Sequence, residues 1–157
     1  MEEEYFNSSS LVEFLKRKGV PFKVHEFDVE VKTAEDASKK VPLEKIIKTL
    51  VLIDSNDEPV VAILKANKKL SFKKLKKVLK VKDIRLATSE EVLKFSGYEA
   101  GAVPPCFWKN VKKVVMDLEA SRMDEFFAGG GNKNKLLEMK MKDLINLISP
   151  LIFEIGE

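Results

Sequence analysis

Glutamine is absent from this chain, and cysteine, histidine and tryptophan occur once each. A single cysteine excludes an intrachain disulfide and fits a reducing, cytoplasmic setting. One His and one Cys leave no plausible zinc site. The lone histidine, His25, lies in strand-like sequence beside Glu26, and nothing around it resembles a nucleophile elbow, so a Ser-His-Asp triad is unsupported. A Cys106/His25 pair is the one thiol–imidazole combination the inventory allows, against the commoner role of a lone Cys as a small buried hydrophobe. No apolar run reaches the length of a bilayer span, and the acidic start Glu2-Glu3-Glu4 is unlike a secretory leader. Gly129-Gly130-Gly131 lacks the Lys-Ser/Thr ending of a P-loop, which leaves ATP chemistry without support.

What is present suits one folded domain over residues 1–157. Hydrophobic residues make up 45% and charged residues 34%, enough for a real core and a solvated surface. Abundant Lys and Glu with no Gln is a thermophile-like bias. The net charge is only +3, yet nine lysines fall between Lys65 and Lys82. Lys68, Lys69, Lys73 and Lys76 from this run are candidates to contact a polyanion such as nucleic acid. A solvated helix face would read the same way.

Helix and strand patterns alternate irregularly. Ser10-Leu11-Val12-Glu13 has capping-box spacing, and Gly19 closes the helix that it starts. Phe22 to Val31 reads as one or two strands, and Thr33 as the start of a short helix. Ile46–Ile53 and Val60–Leu64 form a hairpin through Ser55-Asn56-Asp57, and their near-continuous apolar character predicts central strands. Phe72, Leu75, Val78 and Leu79 share one face of a lysine-rich helix. Ile84–Leu86 reads as a strand, Ser89 as a helix start, and Val111–Leu118, Leu136–Met139 and Leu151–Ile155 as further strands. Leu144, Ile145 and Ile148 mark the last helix. The pattern predicts a mixed α and β fold, a central mixed β-sheet surrounded by helices.

Three features carry chemistry. Lys48 interrupts an apolar strand, where its charge is costly unless it faces a cleft or snorkels to the surface from the strand's start. Asp117 ends the strand Val114-Val115-Met116, a place for either a site carboxylate or a turn cap. Gly97-Tyr98-Glu99-Ala100-Gly101-Ala102-Val103-Pro104-Pro105 combines permissive glycines with rigid prolines, as suits a pre-shaped loop offering backbone N–H groups or a tight crossover. Phe107 and Trp108 read better as core than as stacking platforms.

These residues, with Thr33-Ala34-Glu35-Asp36-Ala37, Ile47-Lys48-Thr49-Leu50-Val51, Leu86-Ala87-Thr88-Ser89-Glu90-Glu91-Val92, Val115-Met116-Asp117 and Gly129-Gly130-Gly131, resemble the YbaK/ProX family of aminoacyl-tRNA deacylases. The family includes the editing domain of bacterial prolyl-tRNA synthetases, and the likeness runs over nearly the whole chain. It implies a YbaK-like editing fold and trans-acting hydrolysis of the ester on mischarged tRNA, with Cys- or Ala-tRNA(Pro)-like substrates. It implies no cofactor. Aminoacyl-tRNA would be the partner, with prolyl-tRNA synthetase as a second candidate and no membrane.

Residue by residue, Lys48 matches the family's essential lysine, Gly101 its functional loop glycine and Asp117 an acidic pocket position. Gly97, Tyr98, Ala102, Val103, Pro104, Gly129, Gly130 and Gly131 are expected to bind substrate, with N–H groups around Gly101 and Ala102 facing the oxyanion. Three departures stand out: Ala102 replaces the second glycine of a Gly-Gly pair, Phe107 replaces a small residue, and Leu136 stands where relatives often carry Asp or His. Ala102 and Leu136 motivate an alternative, a non-catalytic tRNA- or nucleotide-binding module using the same pocket.

Overall fold

A computed structural model describes residues 5–157. The acidic Glu2-Glu3-Glu4 stretch lies outside the described residues. Among the described residues, six helices and eight strands follow in the order α1 (Ser8–Lys18), β1 (Phe22–Glu26), α2 (Ala34–Ser38), β2 (Ile47–Asp54), β3 (Pro59–Lys65), α3 (Phe72–Leu79), β4 (Ile84–Leu86), α4 (Ser89–Ser96), β5 (Lys113–Asp117), α5 (Leu118–Ser121), β6 (Glu125–Gly129), β7 (Lys135–Lys140), α6 (Met141–Ile148) and β8 (Leu151–Phe153). A 3-10 turn at Leu43–Lys45 leads into β2.

The fold is mixed α and β, as its pattern predicts, with its strands divided between two sheets. The larger is five-stranded in the order β4-β2-β3-β5-β8, antiparallel at β4-β2-β3 and parallel at β3-β5-β8. The smaller is an antiparallel trio, β1-β7-β6. The apolar runs of β2 and β3 are central strands covered on both faces. Alternate residues go to opposite sides of the pleat. Ile47, Val51, Val61 and Ile63 therefore join α1, β6, β7 and α6 in one core, while Leu52, Val60, Ala62 and Leu64 meet Leu75 of α3 in another. Each Val, Leu or Ile side chain among them, taken fully from water, contributes about 1.5–3 kcal/mol.

Local signals explain most element ends. α1 begins three residues earlier than its sequence spacing suggests: Asn7 is the N-cap, and its reciprocal capping-box partner is Ser10. Gly19 ends this helix at φ 69°, where a Cβ is disfavoured. β1 stops at Glu26 instead of running to Val31. β6 has no counterpart in the sequence reading, because Glu125-Phe126-Phe127-Ala128-Gly129 is short and leads straight into three glycines.

Candidate active site

β2 and β6 run parallel and meet at one isolated bridge, Ile46 to Phe127. Beyond it they are not laddered, and a cavity of about 310 Å³ opens between them. One wall is Ile46 to Leu50, the other Ala128, Gly129 and Leu136. Val31, Lys32, Thr33, Ala34 and Ala37 from the β1–α2 connection and α2, with Gly101 and Val103, complete the lining.

The geometry rests on glycine at two points. A Cβ on Gly129 would overlap the carbonyl of Val103, so its absence lets the loop seat against β6. Gly101 adopts φ +90°, and a Cβ there would come to 2.6 Å from the Cβ of Lys32. The loop is held from behind as well. Gly131 N–H donates to Ala102 O at 2.9 Å, Trp108 Nε1 to Pro104 O at 2.8 Å, and the Tyr98 hydroxyl to Phe107 O at 2.8 Å. Phe107, at φ 62°, stacks on both Phe6 and Phe14, with centroids 4.9 and 4.5 Å away. The departure from a small residue thus fills the space behind the loop.

Lys48 supplies the site's charge. Its partial burial pushes the ammonium pKa below the ordinary lysine value, and it has no ion pair among the described residues. The other lining cation, Lys32, is paired with Glu30 at 3.2 Å. Among the described residues no carboxylate or imidazole lines the cavity, and Leu136, only 2% exposed, makes its far wall apolar. Thr49 adds a hydroxyl that is buried and unpartnered.

The structure brings Lys48, Gly101, Val103 and Gly129 together and leaves other expected site residues elsewhere. Asp117 is a correction. It is fully buried and outside the cavity lining, where its Oδ1 accepts the N–H groups of Ile155 and Gly156 at 2.9 and 3.1 Å. A strand-end carboxylate here clasps the C-terminal segment. Gly97 is the αL cap of α4, and Tyr98 is fully buried behind the loop. Ala102 is also buried, and its N–H is already given to Glu99 O at 3.0 Å, so it is not available to an oxyanion. The Gly101 N–H makes no hydrogen bond among the described residues. Pro104 receives the Trp108 bond without lining the cavity. Gly130 and Gly131 pack on the backbone of Lys135 and Ser8 respectively, roles of close packing.

Two other sequence-level candidates separate cleanly. Cys106 is fully buried, and its thiol is pushed up to about 12 by desolvation, while His25 bonds Glu138 at 2.8 Å. A working thiolate–imidazole pair is therefore excluded. In the lysine run, Lys68 is tied to Glu119 and lies 3.9 Å from Asp117. Lys69, Lys73 and Lys76 are in no ion pair among the described residues.

Residues 28–147 match the aminoacyl-tRNA editing domain family, and the chain belongs to it. A proline–tRNA ligase of Thermotoga neapolitana is 39% identical over 106 residues, which are 66% of this chain and 18% of that protein. The chain thus spans less than a fifth of that ligase's length. An Enterococcus faecalis protein provisionally named Cys-tRNA(Pro)/Cys-tRNA(Cys) deacylase EbsC is 24% identical over 151 residues, covering 94% of this chain and 92% of that one. Among solved structures, the hypothetical protein APE2540 superposes with a TM-score of 0.86 at 25% identity, covering 94% and 99% of the two chains. A provisionally described trans-editing enzyme for prolyl-tRNA synthetase gives 0.85 at 23% identity over 96% of both chains, a likeness of fold.

Proposed function

We propose that this chain hydrolyses, in trans, the ester joining a wrong amino acid to the 3′ end of tRNA. The substrates of this reading are Cys- or Ala-tRNA(Pro)-like, with prolyl-tRNA synthetase as a candidate partner; the editing-domain family and the proline–tRNA ligase relative support it. The observation that carries this reading is Lys48: a partly buried cation in the wall of a small cavity, with no ion pair among the described residues, whereas the other lining cation, Lys32, is paired with Glu30. Such a charge suits the terminal adenosine phosphate or a polarised ester carbonyl. Water adds to the ester carbon and loses a proton to solvent, and the Gly101 N–H steadies the oxyanion. Collapse breaks the bond to the ribose oxygen, which takes a proton from solvent and leaves as the hydroxyl while the amino acid leaves as its carboxylate. A cysteinyl substrate can attack with its own thiol, closing a thiolactone as the same ribose C–O bond breaks, and water then opens that ring. Editing of this kind is needed because a synthetase pocket discriminates poorly between small apolar side chains.

The lack of a carboxylate or imidazole in the lining favours one second reading, a module that holds tRNA or a nucleotide without cleaving it. A panel of mischarged tRNAs incubated with wild type and Lys48→Ala separates the two. Deacylation lost by about 100-fold or more in the variant supports the hydrolase. Salt-sensitive tRNA binding without cleavage by wild type supports the module.

A further inference from the structure

Main-chain direction around the cavity follows from the pairing on either side. Ala66 N–H donates to Ile46 O at 2.9 Å, and Asp54 N–H to Glu58 O at 3.0 Å, so even-numbered residues of β2 aim their N–H and C=O at β3. Odd-numbered residues aim theirs away, as Val51 shows by accepting from Ala87 N–H at 3.0 Å. Ile47 and Thr49 therefore direct their main-chain groups toward β6 and the cleft. In β6, Gly130 N–H donates to Lys135 O at 3.0 Å, which turns Phe127 and Gly129 toward β2 in the same way.

The Ile46–Phe127 bridge, continued by two residues, would put Gly129 beside Lys48. A residue in that place gives its N–H to the carbonyl of Ile47 and takes the N–H of Thr49. The ladder stops short of this rung, because Gly129 is seated on Val103 and β6 leaves β2. The cavity occupies the gap, with Lys48 at its wall.

We propose that the aminoacyl group of the substrate fills this missing rung. This rests on the deacylase reading above. The α-ammonium donates to the Ile47 carbonyl, and the ester carbonyl accepts the Thr49 N–H. One aminoacyl unit has the donor and acceptor that a strand residue offers, at the same spacing. Recognition by β2 is then independent of the side chain, which is left to face the apolar wall of Val31, Ala37 and Leu136. Thr49 contributes through its backbone N–H, not through its side chain.

Alanyl-tRNA and propionyl-tRNA differ only in the α-ammonium. With each rate divided by its uncatalysed hydrolysis, the enhancement for the propionyl ester is expected to be about tenfold lower or worse. Equal enhancements overturn the proposal. Thr49→Pro removes an N–H that β3 does not use, whereas Thr49→Val keeps it. The proline variant is expected to lose about tenfold or more in kcat/KM and the valine variant less than about threefold. Equal losses overturn it. If the proline variant does not fold by circular dichroism, the native protein decides. The Thr49 amide proton should move downfield on binding 3′-alanylamino-3′-deoxyadenosine, and an unmoved signal overturns the proposal. A wild type that cleaves no ester at all defeats the deacylase reading, while the amide signal still tests the missing rung by itself.

Discussion

Gly101 lies so close to Lys32 that a Cβ on the glycine would stand 2.6 Å from the lysine Cβ, and it does so at φ +90°. Both facts bear on one substitution. Gly101→Ala must strain its backbone, at about 1–3 kcal/mol, and push the two loops apart. We expect a melting temperature lower by several degrees and deacylation reduced by about tenfold or more, read by thermal denaturation and single-turnover hydrolysis.

Lys48 sets a pH dependence. Burial lowers its pKa, so the folded state releases this proton before the unfolded chain does, and the contribution to stability rises with pH across that interval. If the ammonium form binds substrate, activity falls as pH rises through the lowered value. The alkaline limb of kcat/KM should therefore lie below the ordinary lysine range. Lys48→Ala should lose that limb with its activity and keep or slightly raise its melting temperature, since a half-buried unpaired charge is removed.

Asp117 should be a stability residue. Asp117→Ala strands two buried N–H donors, at Ile155 and Gly156, for a cost of about 1–3 kcal/mol each. The expected result is a clear drop in urea midpoint with kcat/KM retained at low temperature. Loss of activity in a fully folded variant would return Asp117 to the site.

The lysine run should divide by its ion pairs. Lys73→Glu with Lys76→Glu should weaken tRNA binding and flatten the log affinity against log salt plot by about 2, one contact per lysine. Lys68→Ala should leave that slope unchanged, because its amine is held by Glu119. Filter binding at several salt concentrations measures both.

The periodicity of β2, β3, α3 and α4 made most of the layers legible from sequence. Lys48 stood out because a charge in an apolar strand needs a cause, whereas Gly101 was marked only by the family resemblance, within a Gly/Pro-rich loop whose residues alone allowed a ligand loop or a crossover. The cavity itself was not. Its walls are Val31, Ala34, Ala37, Ala128 and Leu136, apolar residues with no chemical signature, and they meet only through long-range pairing. Asp117 misled for a related reason. A buried carboxylate that accepts backbone N–H groups looks in sequence like one that faces a ligand, and the partners lie 38 and 39 residues away.

The pairing of β1 with β7 has a consequence for synthesis. Phe22 to Glu26 are matched with Lys135 to Met139, so the sheet behind the cavity closes a loop of more than a hundred residues. Such closure is slow compared with local hairpins. The β2–β3 hairpin can form while the chain is still growing, but the pocket has no far wall until β7 has left the ribosome. The cavity would then be completed late in the synthesis of each molecule.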